Sequence, residues 1–151
     1  MTALAFTAGS PGGGPAVSAP RPPQTFADEA DRARLTPAAI DAMKSVAKAW
    51  GLSAQEASDL LSVSPSTWDR IRGGEWRQSL SQDQLTRVSA MVGVYRGLHL
   101  LFADDMADRW VRLRNSGPLF QNLTPIEAMR ERGIPGMIEV RLYVDALRGG
   151  L

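Results

Sequence analysis

The sequence has no cysteine and a single histidine in 151 residues. Without cysteine there are no disulfides and no thiolate metal centres, which is what a reducing cytoplasm permits. His99 has no second histidine or cysteine to share a metal with, so neither a metal nor another cofactor is expected, and His99 reads as a half-buried helix residue. No charge sign dominates either: 17 basic and 16 acidic residues leave a formal net charge of +1. A molecule-wide nucleic-acid coating is thereby excluded, and DNA binding has to come from a local patch. Long apolar runs are also missing. No stretch approaches the ~20 residues of a membrane span, and the N-terminus lacks the basic-then-apolar order of a secretory signal. The expectation is a cytoplasmic protein without membrane contact.

Catalytic groupings are equally scarce. Asp104 and Asp105 are adjacent on a helical stretch, where neighbours point about 100° apart and cannot converge on one substrate; they read as a solvated helix junction. Gly12, Gly13 and Gly14 lie in a proline-rich segment rather than between a strand and a helix, so they imply no phosphate loop. No nucleophile and base can be paired, and the chain is not expected to be an enzyme.

What is present is helical. Apolar residues make up 44% of the chain, enough for a core over most of its length. The exception is Met1 to Gln24, with four glycines, five prolines, one arginine and no acid. Such a segment buries too little to offset its ordering entropy, and residues 1–27 are expected to form a disordered tail. Beyond it, helix starts are marked by Thr36-Pro37, by the capping box Ser53 to Glu56, by Ser64-Pro65, by Ser81 to Gln84 and by Thr124 to Glu127. Gly51, Gly73-Gly74, Gly117-Pro118 and Gly133 mark the stops. No period-2 alternation bounded by turns is sustained, so strands are not expected. Apolar stripes run along Ile40, Met43, Ala47 and Trp50, then along Leu85, Val88, Val92, Tyr95, Leu98 and Phe102, with Met106, Trp110 and Leu113 following. The second stripe is long for so small a chain and is expected to lie partly at a dimer interface. In the last helix Met137, Val140, Val144 and Leu147 make one stripe, and Ile138 and Leu142 begin another, so that helix is expected to meet a partner.

Residues 53–74 carry the pattern of a helix-turn-helix. Ala57 and Ser58 provide the small mid-helix position where a second helix crosses closely, and Ser62 stands at the turn position that often carries glycine. Val63, Trp68 and Ile71 face inward. Outward lie Ser64, Ser66, Thr67, Asp69, Arg70 and Arg72. The free amides and hydroxyls of Ser64, Ser66 and Thr67 suit phosphates and base edges. Arg70 can offer a guanidinium fork to guanine; Arg72 and Arg77, nearer the far end, suit phosphates. A plain helical hairpin that binds no DNA would show the same two short helices, so a pure protein-interaction module stays open, as does a stand-alone helix-turn-helix repressor without a toxin partner.

The C-terminal half resembles the toxin-binding domain of the Xre/ParS/MbcA antitoxins of RES–Xre toxin–antitoxin systems. The matching features are Leu101-Phe102, Trp110 followed by an arginine-rich helix end and Asn115, the start Leu123-Thr124-Pro125-Ile126-Glu127, Gly133, and a final helix running into Gly149-Gly150. Members often carry a glycine pair before the Thr-Pro start, where this chain has Leu119-Phe120-Gln121-Asn122. The resemblance implies an all-α protein with an Xre-like helix-turn-helix region over residues 28–80 and a dimerisation and toxin-binding region over residues 81–151. It implies a homodimer that binds operator DNA, represses its own operon, and blocks the active site of a RES-domain toxin, an NAD-dependent enzyme resembling ADP-ribosyltransferases. On this reading Val144, Leu147 and Arg148 anchor the last helix on the toxin, and Trp110 and Asn115 support the docking module from behind. Gly149 and Gly150 carry the carboxylate of Leu151 into the anion site that such a toxin must keep for pyrophosphate.

Overall fold

The computed structural model describes residues 24–149. Residues 1–23, most of the expected tail, lie outside the described residues, as do Gly150 and Leu151 of the expected toxin contact. Among the described residues there are seven helices and no strand: α1 (Glu29–Ala49), α2 (Ala54–Leu61), α3 (Pro65–Arg72), α4 (Gln82–Leu101), α5 (Asp104–Trp110), α6 (Pro125–Arg132) and α7 (Ile134–Arg148). None is long and apolar enough to cross a membrane.

The starts read from sequence are those the chain uses, with one exception. Ser53, Ser81 and Thr124 each cap a helix by accepting from the third amide, and Glu56, Gln84 and Glu127 reach back to complete the boxes. Thr36-Pro37 is different. The first helix begins about two turns earlier, with Asp28 accepting from the Asp31 amide, and runs through Pro37. Thr36 is buried instead of capping: its hydroxyl donates to the Arg32 carbonyl at 2.6 Å and accepts from the Leu80 amide at 2.9 Å. One hydroxyl thus ties α1 to the connection that leads into α4.

Helix α4 is the centre of the molecule. It packs against α1 on one side and α7 on another, with α5 folded back beside its C-terminal end. One apolar core runs through all of these, from Met43 and Trp50 of α1, through Leu60, Trp68 and Ile71, to Met91, Val94 and Leu98, then Phe120, Met129, Met137 and Val144. The expected stripe on α4 is therefore largely filled from within the chain: Leu85, Val88 and Leu98 are buried, and only Val92, Tyr95 and Phe102 are partly open. The expected dimer contact along this stripe is thereby limited to Val92, Tyr95 and Phe102, the members the chain itself leaves partly open. The α4–α7 approach is close because of Gly97, where a Cβ would stand 2.6 Å from Cγ1 of Val144.

Candidate functional sites

The hairpin α2–α3 is built by its caps and one small residue. Ser62 ends α2 in the left-handed region, φ 62°, and the next helix starts at once with Ser64 as its cap and Pro65 in the first turn. Ser58 is fully buried and donates to the Gln55 carbonyl at 2.9 Å, so its hydroxyl is satisfied where α3 crosses. Trp68 and Ile71 close the core below α3, as the sequence pattern requires.

The outer face of α3 is exposed at Ser64, Ser66, Asp69, Arg70 and Arg72, with Thr67 half-buried. The three hydroxyls are not equivalent. Ser64 accepts from the Thr67 amide at 3.1 Å and donates to the Thr67 hydroxyl at 2.9 Å, and it also lies 3.1 Å from the Ser66 hydroxyl. Ser64 is thus occupied as the cap, and Ser66 is the hydroxyl left facing outward. Arg72 pairs with Asp69 at 3.1 Å. Arg70 lies over the ring of Trp76, 5.8 Å from its centroid, an arrangement that holds a guanidinium through its attraction to the aromatic face. The sequence pattern leaves Trp76 unassigned; the arginine six residues before it, across the Gly73-Gly74 turn, is the signal that it is a platform.

Two ion pairs that no sequence spacing announces bind the hairpin to the C-terminal half. Arg112 donates from Nη2 to Glu56 at 2.9 Å and to the Gly51 carbonyl at 2.7 Å, and from Nε to the Trp50 carbonyl at 2.8 Å. Arg130 reaches Asp59 at 2.7 Å. The Arg112 hydrogen bond holds the Glu56 carboxyl down at about 2, outweighing the opposing effect of its partial burial. The hydrogen bond from Arg130 likewise lowers Asp59. His99 staples the α4–α5 corner: Nδ1 lies 3.0 Å from Asp104 and Nε2 2.8 Å from Asp108. Burial alone would lower its pKa, but the two carboxylates prevail and raise it.

The C-terminal residues named from sequence separate into two groups. Trp110 is only 8% exposed, edge-on to Phe120 and stacked on Tyr143 at 6.1 Å. Asn115 accepts from the Gly117 amide at 2.8 Å and exchanges backbone bonds with Asn122 and Leu123. Both shape the α5–α6 loop through contacts within the chain. Val144 is corrected: it is 0% exposed against α4 and cannot anchor α7 on another protein. Leu147 is half-buried, while Arg148, paired with Asp145 at 3.4 Å, and Gly149 are exposed. The apolar surface that α7 does present is its other stripe, Ile138 at 44% and Leu142 at 61% exposed, alongside Arg141 and Phe26 in a shallow groove of about 590 Å³.

Against this geometry stand the comparisons with known proteins. Residues 27–93 match the family model of the antitoxin Xre-like helix-turn-helix domain. Residues 98–150 match the antitoxin Xre/MbcA/ParS C-terminal toxin-binding domain. The two stretches thus meet within α4, the helix on which both halves pack. Uncharacterized protein y4oB of Sinorhizobium fredii (strain NBRC 101917 / NGR234) is 32% identical over 125 residues, covering 80% of this chain and 91% of that protein. No solved structure matches the chain significantly.

Proposed function

Because the chain belongs to the Xre/MbcA/ParS family of type II antitoxins, we propose that it neutralises a RES-domain toxin by covering the entrance to its NAD-handling active site, and represses its own operon as a homodimer on operator DNA. The two matched domains belong to a DNA-reading and a toxin-binding family, neither of them enzymatic. The observation that carries the proposal is that one core supports two surfaces left open by the chain: the polar and cationic face of α3, and the apolar Ile138–Leu142 stripe of α7, with Arg148 and Gly149 exposed at the end of that helix. α3 enters the major groove, Ser66 and Arg70 meet base edges, Arg72 meets a phosphate, and the two copies place their recognition helices about 34–36 Å apart. On the toxin side, Leu142 and Ile138 supply apolar area and Arg148 a cation at the rim of the cleft.

The test is co-expression with the toxin encoded beside it. A chain ending at Leu147 and a Leu142→Glu variant should both bind promoter DNA as the intact protein does, yet protect cells poorly and fail to co-purify with toxin. Full protection by both would show that blocking uses another surface. A neighbouring toxin of another class would refute the RES assignment while leaving the antitoxin in place.

A further inference from the structure

An α-helix with its side chains is about 10–12 Å across and fills a major groove about 12 Å wide. Whatever stands beside a recognition helix therefore meets the sugar-phosphate backbones that wall the groove. With 100° per residue, and Trp68 and Ile71 pointing into the core, Ser66, Asp69 and Gly73 point away from it. Arg72 then falls on the flank next to Trp68, and Arg70 on the opposite flank, over Trp76.

On the Trp68 flank α3 faces α1 across a groove of about 410 Å³, lined by Lys44, Ser45, Lys48, Leu52, Trp68 and Arg72 among others, with no acid. Lys44 and Lys48 are one turn apart on α1 and face the same groove. Neither takes part in any ion pair among the described residues. Asp41 lines a separate groove beside Trp76; Asp69 pairs with Arg72 at 3.1 Å and offsets part of its charge, and Asp105 and Asp108 lie across a neighbouring groove that Lys48 also borders, without pairing with it. Two lysines outside any ion pair among the described residues, and Arg72 beside them, thus line one groove in a molecule whose net charge is +1.

We propose that Lys44 and Lys48 form, with Arg72, a phosphate-binding wall of the DNA interface, so that α1 holds the backbone of one strand while α3 reads base edges. The inference rests on α3 being the recognition helix. Lysine suits such a wall, because a flexible point charge finds phosphate oxygens without the fixed geometry that base reading demands. The wall supplies affinity and register and carries no sequence preference.

The experiment is fluorescence anisotropy of the full chain on two duplexes, one from its own promoter and one scrambled, over a series of salt concentrations. Lys44→Gln/Lys48→Gln should weaken binding to both duplexes by on the order of tenfold at 0.1 M salt and lower the slope of log K against log salt by about 2, one contact accounting for about 0.9. Lys44→Arg/Lys48→Arg should restore the slope, and an unchanged melting curve excludes a folding defect. Arg70→Ala should reduce only the preference for the promoter. Wild-type affinity and slope in the double glutamine variant, with promoter preference still lost in Arg70→Ala, would overturn the wall and leave the recognition helix standing. The same wild-type slope together with lost toxin co-purification would assign the lysines to an acidic protein surface instead. Failure of the wild type to bind either duplex would overturn both readings.

Discussion

At the scale of single residues, space rather than residue type decides what a position tolerates. Gly93 and Gly97 both lie where α7 crosses α4, and a Cβ would collide at either. At Gly93 it meets the side chain of Arg141, whose nearest atom is 2.5 Å away; at Gly97 it meets Val144, which is fully buried. Arg141 can swing into solvent, and Val144 cannot move without shifting a helix. Gly97→Ala should therefore lose about 1–2 kcal/mol net, overpacking of roughly 1–3 kcal/mol exceeding the up to ~1 kcal/mol gained in helix propensity. Gly93→Ala should be close to neutral. Thermal melts of the two variants compare them directly, and equal losses would show that Val144 yields as easily as Arg141. A second pair concerns the left-handed region, which Gln121 occupies at φ 50° and Asn122 at φ 69°. Asparagine tolerates that conformation better than glutamine. Gln121→Gly should raise stability by about 0.5 kcal/mol, since relieving a strain of ~1–2 kcal/mol exceeds the ~0.4–1 kcal/mol entropy that glycine adds to the unfolded chain; destabilisation would show that the glutamine conformation carries no strain.

Between elements, the clamps on α2 set how firmly the α2–α3 hairpin is mounted. Glu56 both completes the cap of its own helix and receives Arg112 from the far half. Its folded pKa is about 2 against an ordinary 4.5, so ionised Glu56 stabilises the fold above pH 4.5, and that contribution is lost as pH falls from there through about 2. Denaturant titrations from about pH 5 down to about pH 2 should show stability falling in the wild type. The Arg112→Met variant should be less stable at neutral pH and flatter over the same range. Parallel curves for the two proteins would mean that Arg112 does not perturb Glu56. His99 works in the opposite direction: its raised pKa makes its contribution full in acid and lost as pH rises through that raised value.

For the whole molecule, the sharing of α4 has a thermodynamic consequence. A single core includes buried residues from α1 through α7, so neither half can lose its packing while the other keeps α4 intact. Calorimetry should give one cooperative unfolding transition with matching calorimetric and van't Hoff enthalpies. Two separable transitions would mean that the helix-turn-helix and toxin-binding parts are independent bodies joined by a helix. The same sharing gives the outer face of α3 and the exposed stripe of α7 a rigid relation, since α2 is fastened to the loop after α5 and to α6 by Arg112 and Arg130.

The sequence by itself determined the helices, most of their ends, the hairpin and the kind of surface α3 shows. Caps, turn glycines and 3.6-residue periodicity are local, and local chemistry settles them. It did not determine that Thr36 serves as a buried bridge instead of a cap, because that depends on the Leu80 amide arriving from 44 positions away. Nor did it determine which of two apolar stripes on α7 faces the core. Periodicity allows either to face inward, and only the close approach permitted by Gly97 turns Val144 inward and leaves Leu142 in solvent. The α4 stripe was legible as apolar, but whether its partner is α7 or a second copy is a matter of how many helices surround it. The ion pairs Glu56–Arg112 and Asp59–Arg130, and the lysines beside α3, belong to the same class. They join residues whose only relation is spatial, and the fold alone brings them together.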